Sequence, residues 1–212
     1  MAINLTKGQT IDLRKDTNDL DQITIGLGWK VREKKKGFLG SLIGRKDDAE
    51  FDLDAIAFLL DENGKVKNIG DDKLRGGDIV FFNSLKHSSG TVSHSGDNIV
   101  GGSGTQDDEQ IVVKLNSVPA QYHSILFLVC IYGGTSRKQH FGQVESAYMR
   151  AVDGKGKEIA RYSLGSDLTY DGKCSMVFGE VYRRDGGWKF RAIGDPHPYD
   201  SFVHLLKSYI PK

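Results

Sequence analysis

The sequence predicts a mainly β protein: a β-sandwich of antiparallel or mixed sheets with a C-terminal helix. Segments of strand length, either continuously apolar or alternating between apolar and polar, recur along the 212 residues. Asn-Gly and Asp-Gly pairs stand between several of them, and such pairs favour β-hairpin turns. Clear helical spacing is confined to the end of the chain. We expect one domain over residues 1–212, because sandwiches of this length are commonly single domains.

The first clear strand is marked by alternation, in which Ile23, Ile25 and Leu27 are each followed by a polar or small residue. The later strands share short length and a bias toward β-branched and aromatic side chains. They are Phe51–Leu60, Ile79–Asn83, Gln110–Leu115, Ile125–Tyr132, Val144–Val152, Glu158–Leu164, Ser175–Arg183 and Trp188–Gly194. Hairpin turns are expected at Asn63-Gly64, Asp153-Gly154, Asp171-Gly172 and Asp185-Gly186.

The C-terminal helix is predicted over Tyr199–Ile210. Apolar side chains recur there at spacings of three and four residues, which places them on one face of a helix. They are Phe202, Leu205, Leu206 and Tyr209. Asp200 or Ser201 is the expected N-cap, because a short polar side chain can accept a hydrogen bond from the first turn of a helix.

A basic insertion occupies residues 34–46, which read KKKGFLGSLIGRK. Its apolar residues would fall on one side if the segment became helical. We interpret it as a long hairpin tip, because it is short and interrupted by glycine. The alternative is a peripheral membrane or scaffold role, in which the basic ends contact anionic lipid.

Composition and charge exclude several classes of protein. The formal net charge of +1 provides no overall field for nucleic acid, so no such partner is expected. The first 15 residues contain no apolar stretch of signal-peptide length, and no window approaches the roughly 18 apolar residues of a membrane span. Two cysteines make a poor disulfide framework, and Cys130 lies in an apolar run that predicts a buried thiol. These features together predict a cytoplasmic protein.

An acidic, glycine-rich loop at Asp97–Glu109 is the main candidate site. No Lys or Arg occurs between Lys86 and Lys114, so the loop's carboxylates lack neighbouring cations in sequence. Calcium takes six to eight oxygen ligands, which carboxylates, Asn side chains and backbone carbonyls supply. The glycines allow the backbone to curl so that carbonyls converge. The loop therefore indicates either a calcium site or a plain solvated connection.

A second acidic element lies at the start of the strand predicted over Phe51–Leu60. The period of two places Asp52 and Asp54 on one face, with Phe51, Leu53 and Ala55 on the other. Two like charges side by side on a strand repel each other, and a shared metal would remove that cost. From the residues alone, exposed strand carboxylates are the simpler interpretation.

No catalytic motif appears, so the chain is not expected to be an enzyme. The segment around Ser103 lacks the final glycine of a nucleophile elbow, and no Gly-Lys pair is followed by Ser or Thr as a phosphate loop requires. The six histidines show no close metal-ligand spacing. His94, beside the acidic loop, is interpreted as a surface residue. The remaining enzymatic alternative is metal-dependent chemistry on a phosphoester.

The chain resembles the TerD family of tellurite-resistance and general stress proteins over roughly Ile3 to Gly194. The resemblance is carried by stretches that occur in order along the chain. They are LTKGQTIDL at 5–13, IGLGW at 25–29, FDLDAIAFLLDENGKV at 51–66, HSGDN at 94–98, DDE at 107–109, FGQV at 141–144, ARYSL at 160–164 and VFGEVYRRDGGWKFRAIG at 177–194.

The resemblance implies a β-sandwich that binds one or two calcium ions and works with protein partners in a stress-response assembly, at or near a membrane surface. The ligands it implies come from the loop and the acidic strand. They are Asp52, Asp54, Asp97, Asn98, Gly101, Asp107, Asp108 and Glu109.

The chain departs from the family pattern in the middle of the loop. The family usually carries acidic residues there, as in GEGDGDDE, whereas this chain reads GGSGTQDDE. Ligand charge tunes calcium affinity. We therefore expect one of two calcium positions to be weakened or lost.

Overall fold

The computed structural model describes residues 2–13, 21–31, 51–96, 107–164 and 168–211. These residues form twelve strands and two short α-helices, with 3-10 turns at Leu115–Ser117, Phe141–Gln143 and Leu168–Tyr170. The strands are β1 (Ile3–Leu5), β2 (Thr10–Asp12), β3 (Ile23–Val31), β4 (Leu53–Leu60), β5 (Ile79–Val80), β6 (Val92–His94), β7 (Glu109–Val113), β8 (Ser124–Ile131), β9 (Val144–Asp153), β10 (Glu158–Leu164), β11 (Ser175–Arg184) and β12 (Gly187–His197). The helices are α1 (Gly134–Arg137) and α2 (Phe202–Leu206).

The strands form two six-stranded sheets, which confirms the predicted mainly β, sandwich-like class. The first sheet has the order β1-β10-β9-β3-β7-β6, and the second has the order β2-β12-β11-β8-β4-β5. The pairs are antiparallel except that β1 pairs with β10 in parallel. The acidic loop leads from β6 to β7 in the first sheet, while Asp52 and Asp54 lie at the start of β4 in the second.

The main core lies between the sheets and is built from one face of each strand. On β3, Ile23, Ile25, Leu27 and Trp29 are buried there, as the alternation predicts. On β4 the same core takes Leu53 and Ala55, with Phe51 just before the strand. Asp52 and Asp54 consequently belong to the opposite face of that segment, as expected from the sequence.

A second cluster covers the outer face of the sheet that contains β4 and β8. Ile56 and Phe58 of β4 pack there with Leu126 and Leu128 of β8. Phe202 of α2 closes the cluster with its ring 6.1 Å from that of Phe58. Because both faces of β8 are covered, its sequence is continuously apolar and not alternating.

The C-terminal helix is shorter than predicted, since only Phe202–Leu206 is helical within Tyr199–Ile210. Ser201 is the N-cap and accepts from the Val203 N–H at 3.4 Å, as one of the two predicted caps. The chain leaves the helix because the Tyr209 carbonyl accepts from the Val66 N–H at 2.7 Å in the β4–β5 connection. Pro211 also disfavours helical geometry at the residue before it.

Two further differences and one confirmed prediction concern short elements. Strands β1, β2 and β6 have three residues each, which is too short to show a period in sequence. Strand β5 ends at Val80 and not at Asn83, because the backbones of Phe81 and Ser84 bond to each other and close a turn. The predicted Asp185-Gly186 hairpin is confirmed, with φ of 53° and 75° at its two residues.

Candidate functional site

The predicted calcium ligands fall into three groups in the structure. Asp97, Asn98 and Gly101 lie outside the described residues, as does the basic insertion at 34–46. Asp107, Asp108 and Glu109 form the end of the loop and the first residue of β7. Asp52 directly precedes β4, and Asp54 lies within it.

Glu109 joins the end of the loop to β4. Its carboxylate oxygen Oε2 accepts a hydrogen bond from the Ala55 N–H at 2.5 Å. Ala55 follows Asp54 directly in the chain, so the two acidic stretches meet at this point although 54 positions separate the bonded residues. The Glu109 side chain is fully buried. Bonds between a carboxylate and a backbone N–H are among the stronger hydrogen bonds, so this contact fixes the start of β7 against β4.

His94 completes the same contact from β6. Its Nε2 lies 3.1 Å from the Ala55 carbonyl oxygen and 3.3 Å from Glu109 Oε2, while its Nδ1 accepts from the Gly96 N–H at 3.0 Å. Because Nδ1 is an acceptor, the ring proton belongs on Nε2, which donates. His94 is fully buried, so its interpretation as a surface residue was wrong. Strand β5 pairs with β4 only at Ala57 and Phe58. The backbone N–H and carbonyl of Ala55, which β5 does not reach, bond instead to Glu109 and His94.

Asp54 of β4 is buried, with 7% of its surface exposed, and Asp52 is half-buried, so the interpretation of the two as exposed strand carboxylates was wrong. The main-chain partner of Asp54 across the sheet is Cys130 of β8. Burial raises the pKa of the Cys130 thiol, and the charge of Asp54 raises it further. Both cysteines are free and buried, as predicted for Cys130.

Asp108 anchors the loop to β3. Its N–H donates to the Leu27 carbonyl at 2.8 Å, and its Oδ2 accepts from the Trp29 N–H at 3.0 Å. These bonds continue the β3–β7 ladder past Glu109, whose register partner is Leu27. The last residues of the loop are therefore held by backbone groups of both sheets.

Asp107 lies on the outer face of the first sheet, where both of its oxygens accept hydrogen bonds. Arg150 Nε donates to Oδ1 at 2.7 Å, and Arg150 Nη2 donates to Oδ2 at 3.0 Å. The Tyr148 hydroxyl donates to Oδ1 at 3.2 Å, and the Gln110 side-chain amide donates to Oδ2 at 3.0 Å. The hydrogen bond to Asp107 raises the pKa of Arg150, so the guanidinium stays charged. Burial, followed by the Asp107 charge, raises the pKa of Tyr148 to about 12, which keeps its hydroxyl a donor.

Two glycines of β3 make room for this arrangement. A Cβ at Gly26 would lie 2.2 Å from the Asp107 carboxylate carbon, and one at Gly28 would lie 2.4 Å from the Tyr148 ring. The outer face of β3 is therefore open at the two positions that the neighbouring side chains fill. Glycines inside a strand often mark such close approaches. This signal was present in the sequence at Gly26 and Gly28, but the sequence did not show what approaches them.

The network extends to β10. Glu158 accepts from Arg150 Nη1 at 3.2 Å and from Arg161 Nε at 2.8 Å. The hydrogen bond from Arg161 outweighs burial and lowers the pKa of Glu158. The Arg161 guanidinium lies 4.2 Å from the centre of the Tyr148 ring. Arg150 is thus held from both sides, by Asp107 and by Glu158.

In the part of the chain that the structure describes, no three His, Cys, Asp or Glu side chains are grouped closely enough to hold a metal. The described carboxylates offer the hard oxygen donors that calcium prefers. The predicted ligand set stays a prediction for each of its members.

A second buried polar cluster lies between β5 and β6, away from this edge. The Tyr122 hydroxyl donates to Asp78 Oδ1 at 2.7 Å, and His87 Nε2 lies 3.3 Å from the same oxygen. Burial alone would raise the pKa of Asp78, but the bonds from His87, Tyr122 and the Asn68 N–H together lower it. The cluster thereby joins Asp78, just before β5, to His87 of the β5–β6 connection and to Tyr122, just before β8.

The lowered pKa of Asp78 predicts a dependence of stability on pH. A carboxyl whose pKa is lower in the folded state adds stability above its unfolded pKa of about 3.9, and this is lost as pH falls through the folded pKa. We expect Asp78→Asn to be less stable than wild type near neutral pH and to lose less stability on acidification below about pH 4. Urea denaturation at several pH values measures this, with the exposed Asp195→Asn as control. Equal pH slopes for Asp78→Asn and wild type would contradict it.

The TerD domain family matches residues 1–209. The chain belongs to the TerD domain family. A tellurium resistance protein, TerX, of Serratia marcescens is 49% identical, and the match covers 99% of this chain and 100% of that one. General stress protein 16U of Bacillus subtilis (strain 168) is 38% identical, with 92% and 90% covered. The family predicted from the sequence motifs is thereby confirmed.

A solved structure supports the fold. The crystal structure of a homologue of telluride resistance protein (TerD) from Streptomyces coelicolor A3(2) matches with a TM-score of 0.61 at 16% identity, covering 90% of this chain and 99% of that one. At this identity the likeness concerns the fold alone. No helix among the described residues of this TerD-family chain is long and apolar enough to span a membrane.

Proposed function

We propose that this TerD-family chain is a calcium-binding protein of tellurite resistance or general stress response. Calcium is held where the loop at Asp97–Glu109 meets the start of β4. The ion orders the loop, which then presents a surface to protein partners in a stress-response assembly. The relatives named for tellurium resistance and general stress support the stress-response part of the proposal.

The observation that carries the calcium proposal is the 2.5 Å bond from the Ala55 N–H to Glu109. It brings the end of the loop to the residue after Asp54, so two separated acidic stretches of the backbone meet at this point. Like charges gathered this way are costly unless a cation joins them. Bound calcium supplies that positive charge.

The residues proposed to hold calcium are the loop members Asp97, Asn98 and Gly101, with Asp108 and Glu109 at its end, Asp52 just before β4 and Asp54 within it. Carboxylates provide charge, Asn98 provides an amide oxygen, and Gly101 provides a backbone carbonyl. Asp108 and Glu109 are already positioned by their bonds to Trp29 and Ala55, which fixes where that end of the loop stands.

In this role the protein acts in the cytoplasm as a binding module and not as an enzyme. The alternative role at a membrane surface depends on the basic insertion at 34–46, outside the described residues. Co-sedimentation with anionic vesicles, compared with a variant whose Lys34, Lys35 and Lys36 are replaced by Ser, tests that role separately. Binding that is equal in both proteins, or absent from both, would remove the insertion from consideration.

Calcium is expected to raise the melting temperature of the purified protein. A ligand at about 100 times its Kd adds about 2.7 kcal/mol to the stability of the native state. For a domain of this size that corresponds to a rise of roughly 5–10 °C. Differential scanning fluorimetry in chelator, calcium and magnesium measures the shift. An unchanged melting temperature in excess calcium would end the proposal.

Isothermal titration locates the site. We expect Asp97→Asn to weaken calcium binding at least tenfold, because one charged ligand is lost. Asp72→Asn, an exposed carboxylate in the β4–β5 connection, is the matched control and should bind as wild type does. The altered middle of the loop also predicts one tight site and not two, so two equally tight sites would contradict that part.

A further inference from the structure

The carboxylate of Asp107 has no remaining capacity for a metal. An ionised carboxylate offers about four lone-pair positions. Arg150 fills two of them, and Tyr148 and Gln110 fill one each, at 2.7 to 3.2 Å. The Asp107 side chain is only 1% exposed, so water is not a further partner of note. All the acceptor positions of Asp107 are therefore occupied by Arg150, Tyr148 and Gln110.

The position of Arg150 is fixed by the fold and not by the loop. It lies on β9, directly opposite Gly26 in the β3–β9 register. Gly26 leaves the space that Asp107 fills, and Glu158 holds the far side of the guanidinium at 3.2 Å. A planar guanidinium with two bonds to one carboxylate is a strong and specific pairing. The first sheet thus holds the Arg150 guanidinium in position to pair with Asp107 at the end of the loop.

We propose that Arg150 is a built-in counter-cation that removes Asp107 from the calcium ligand set and anchors the end of the loop without calcium. The exclusion of Asp107 from the calcium ligands rests on the proposed function, whereas the anchoring of the loop by Arg150 does not. Calcium would have to break the paired bonds to use Asp107, so the ion is bound by fewer charges than the DDE motif suggests. Fewer charged ligands mean weaker binding.

The calcium half is tested by titration of three variants. Asp107→Asn is expected to bind calcium within twofold of wild type, whereas Asp97→Asn loses at least tenfold. Arg150→Gln releases the Asp107 carboxylate and is expected to bind calcium at least threefold more tightly or to gain a site. Arg191→Gln breaks the ion pair with Glu180 on the other sheet and is the matched control. A tenfold loss in Asp107→Asn would overturn the inference.

The anchoring half is tested in chelator by hydrogen exchange of residues 107–110. We expect these amides to exchange at least tenfold faster in Arg150→Gln than in wild type, and to stay near wild type in Arg191→Gln. Arg150→Lys keeps the charge but loses the paired geometry, so it should exchange at an intermediate rate and covers the case that Arg150→Gln does not fold. Unchanged exchange in both Arg150 variants would refute the anchor. Wild-type protein that binds no calcium at all would refute the proposed function and leave the anchor standing on the exchange result.

Discussion

Gly26→Ala is expected to lower the free energy of unfolding by about 3–5 kcal/mol. The added methyl would lie 2.2 Å from the Asp107 carboxylate, which must then move away from Arg150. Arg150 is 28% exposed, so the pair is part-buried; separating it and crowding the added methyl into the filled space together cost about 3–5 kcal/mol. Without this clash the same change would stabilise the protein by about 0.5–1 kcal/mol, because glycine weakens a strand interior. A loss of stability in Gly26→Ala would therefore show that the clash with Asp107 dominates, and a gain would show that it does not.

A double-mutant cycle assigns the cost of Gly26→Ala to Asp107. In an Asp107→Ala background the carboxylate is absent, so Gly26→Ala should cost little or stabilise. Urea denaturation of the four proteins in chelator gives the coupling energy, which we expect to exceed about 2 kcal/mol for residues in direct contact. If the stability changes of Gly26→Ala and Asp107→Ala simply add, the cost of the alanine at position 26 does not come from a clash with Asp107.

Glu109→Ala is expected to destabilise the protein by about 3 kcal/mol. It removes the acceptor for the buried Ala55 N–H, and an unsatisfied buried donor costs about 1–3 kcal/mol. It also leaves a void between the sheets and removes one contact of His94. Glu109→Gln retains an acceptor for Ala55 and should cost roughly half as much.

The measurement is made in chelator, so that loss of bound calcium does not contribute. A loss of about 3 kcal/mol corresponds to a fall in melting temperature of roughly 6–12 °C for a domain of this size. Glu145→Gln, which breaks a surface pair with Lys30, is the control and should stay within about 0.5 kcal/mol of wild type. A Glu109→Ala protein as stable as the control would mean that the β4 contact contributes nothing to holding the edge.

The sequence predicted the strands whose side chains alternate or are continuously apolar. The alternation of β3 and the apolar run of β8 each follow from burial on one or both faces, which is a local property of the chain. Strands β1, β2 and β6 were missed because three residues show no period, and their pairing depends on distant partners. The end of the C-terminal helix was missed because Val66, far away in sequence, takes the Tyr209 carbonyl.

The candidate site could be predicted only as a list of residue types. The sequence shows that Asp107, Asp108 and Glu109 are adjacent acids, and it suggests the same role for all three. The fold separates them, since Asp107 pairs with Arg150, Asp108 with the β3 backbone and Glu109 with the β4 backbone. Those partners lie 43, 79 and 54 positions away, so only the sheet order and register bring them together.

The three-residue strands β1 and β2 have a consequence for biosynthesis. Ile3–Leu5 and Thr10–Asp12 pair with β10 and β12, in different sheets, and both partners lie in the last third of the sequence. During synthesis these residues leave the ribosome well before β10 and β12, the strands with which they pair. Contacts between distant residues slow folding, because a long loop must close before they form. Strands β1 and β2 therefore complete one edge of each sheet as a late step of folding, after β10 and β12 have been synthesised.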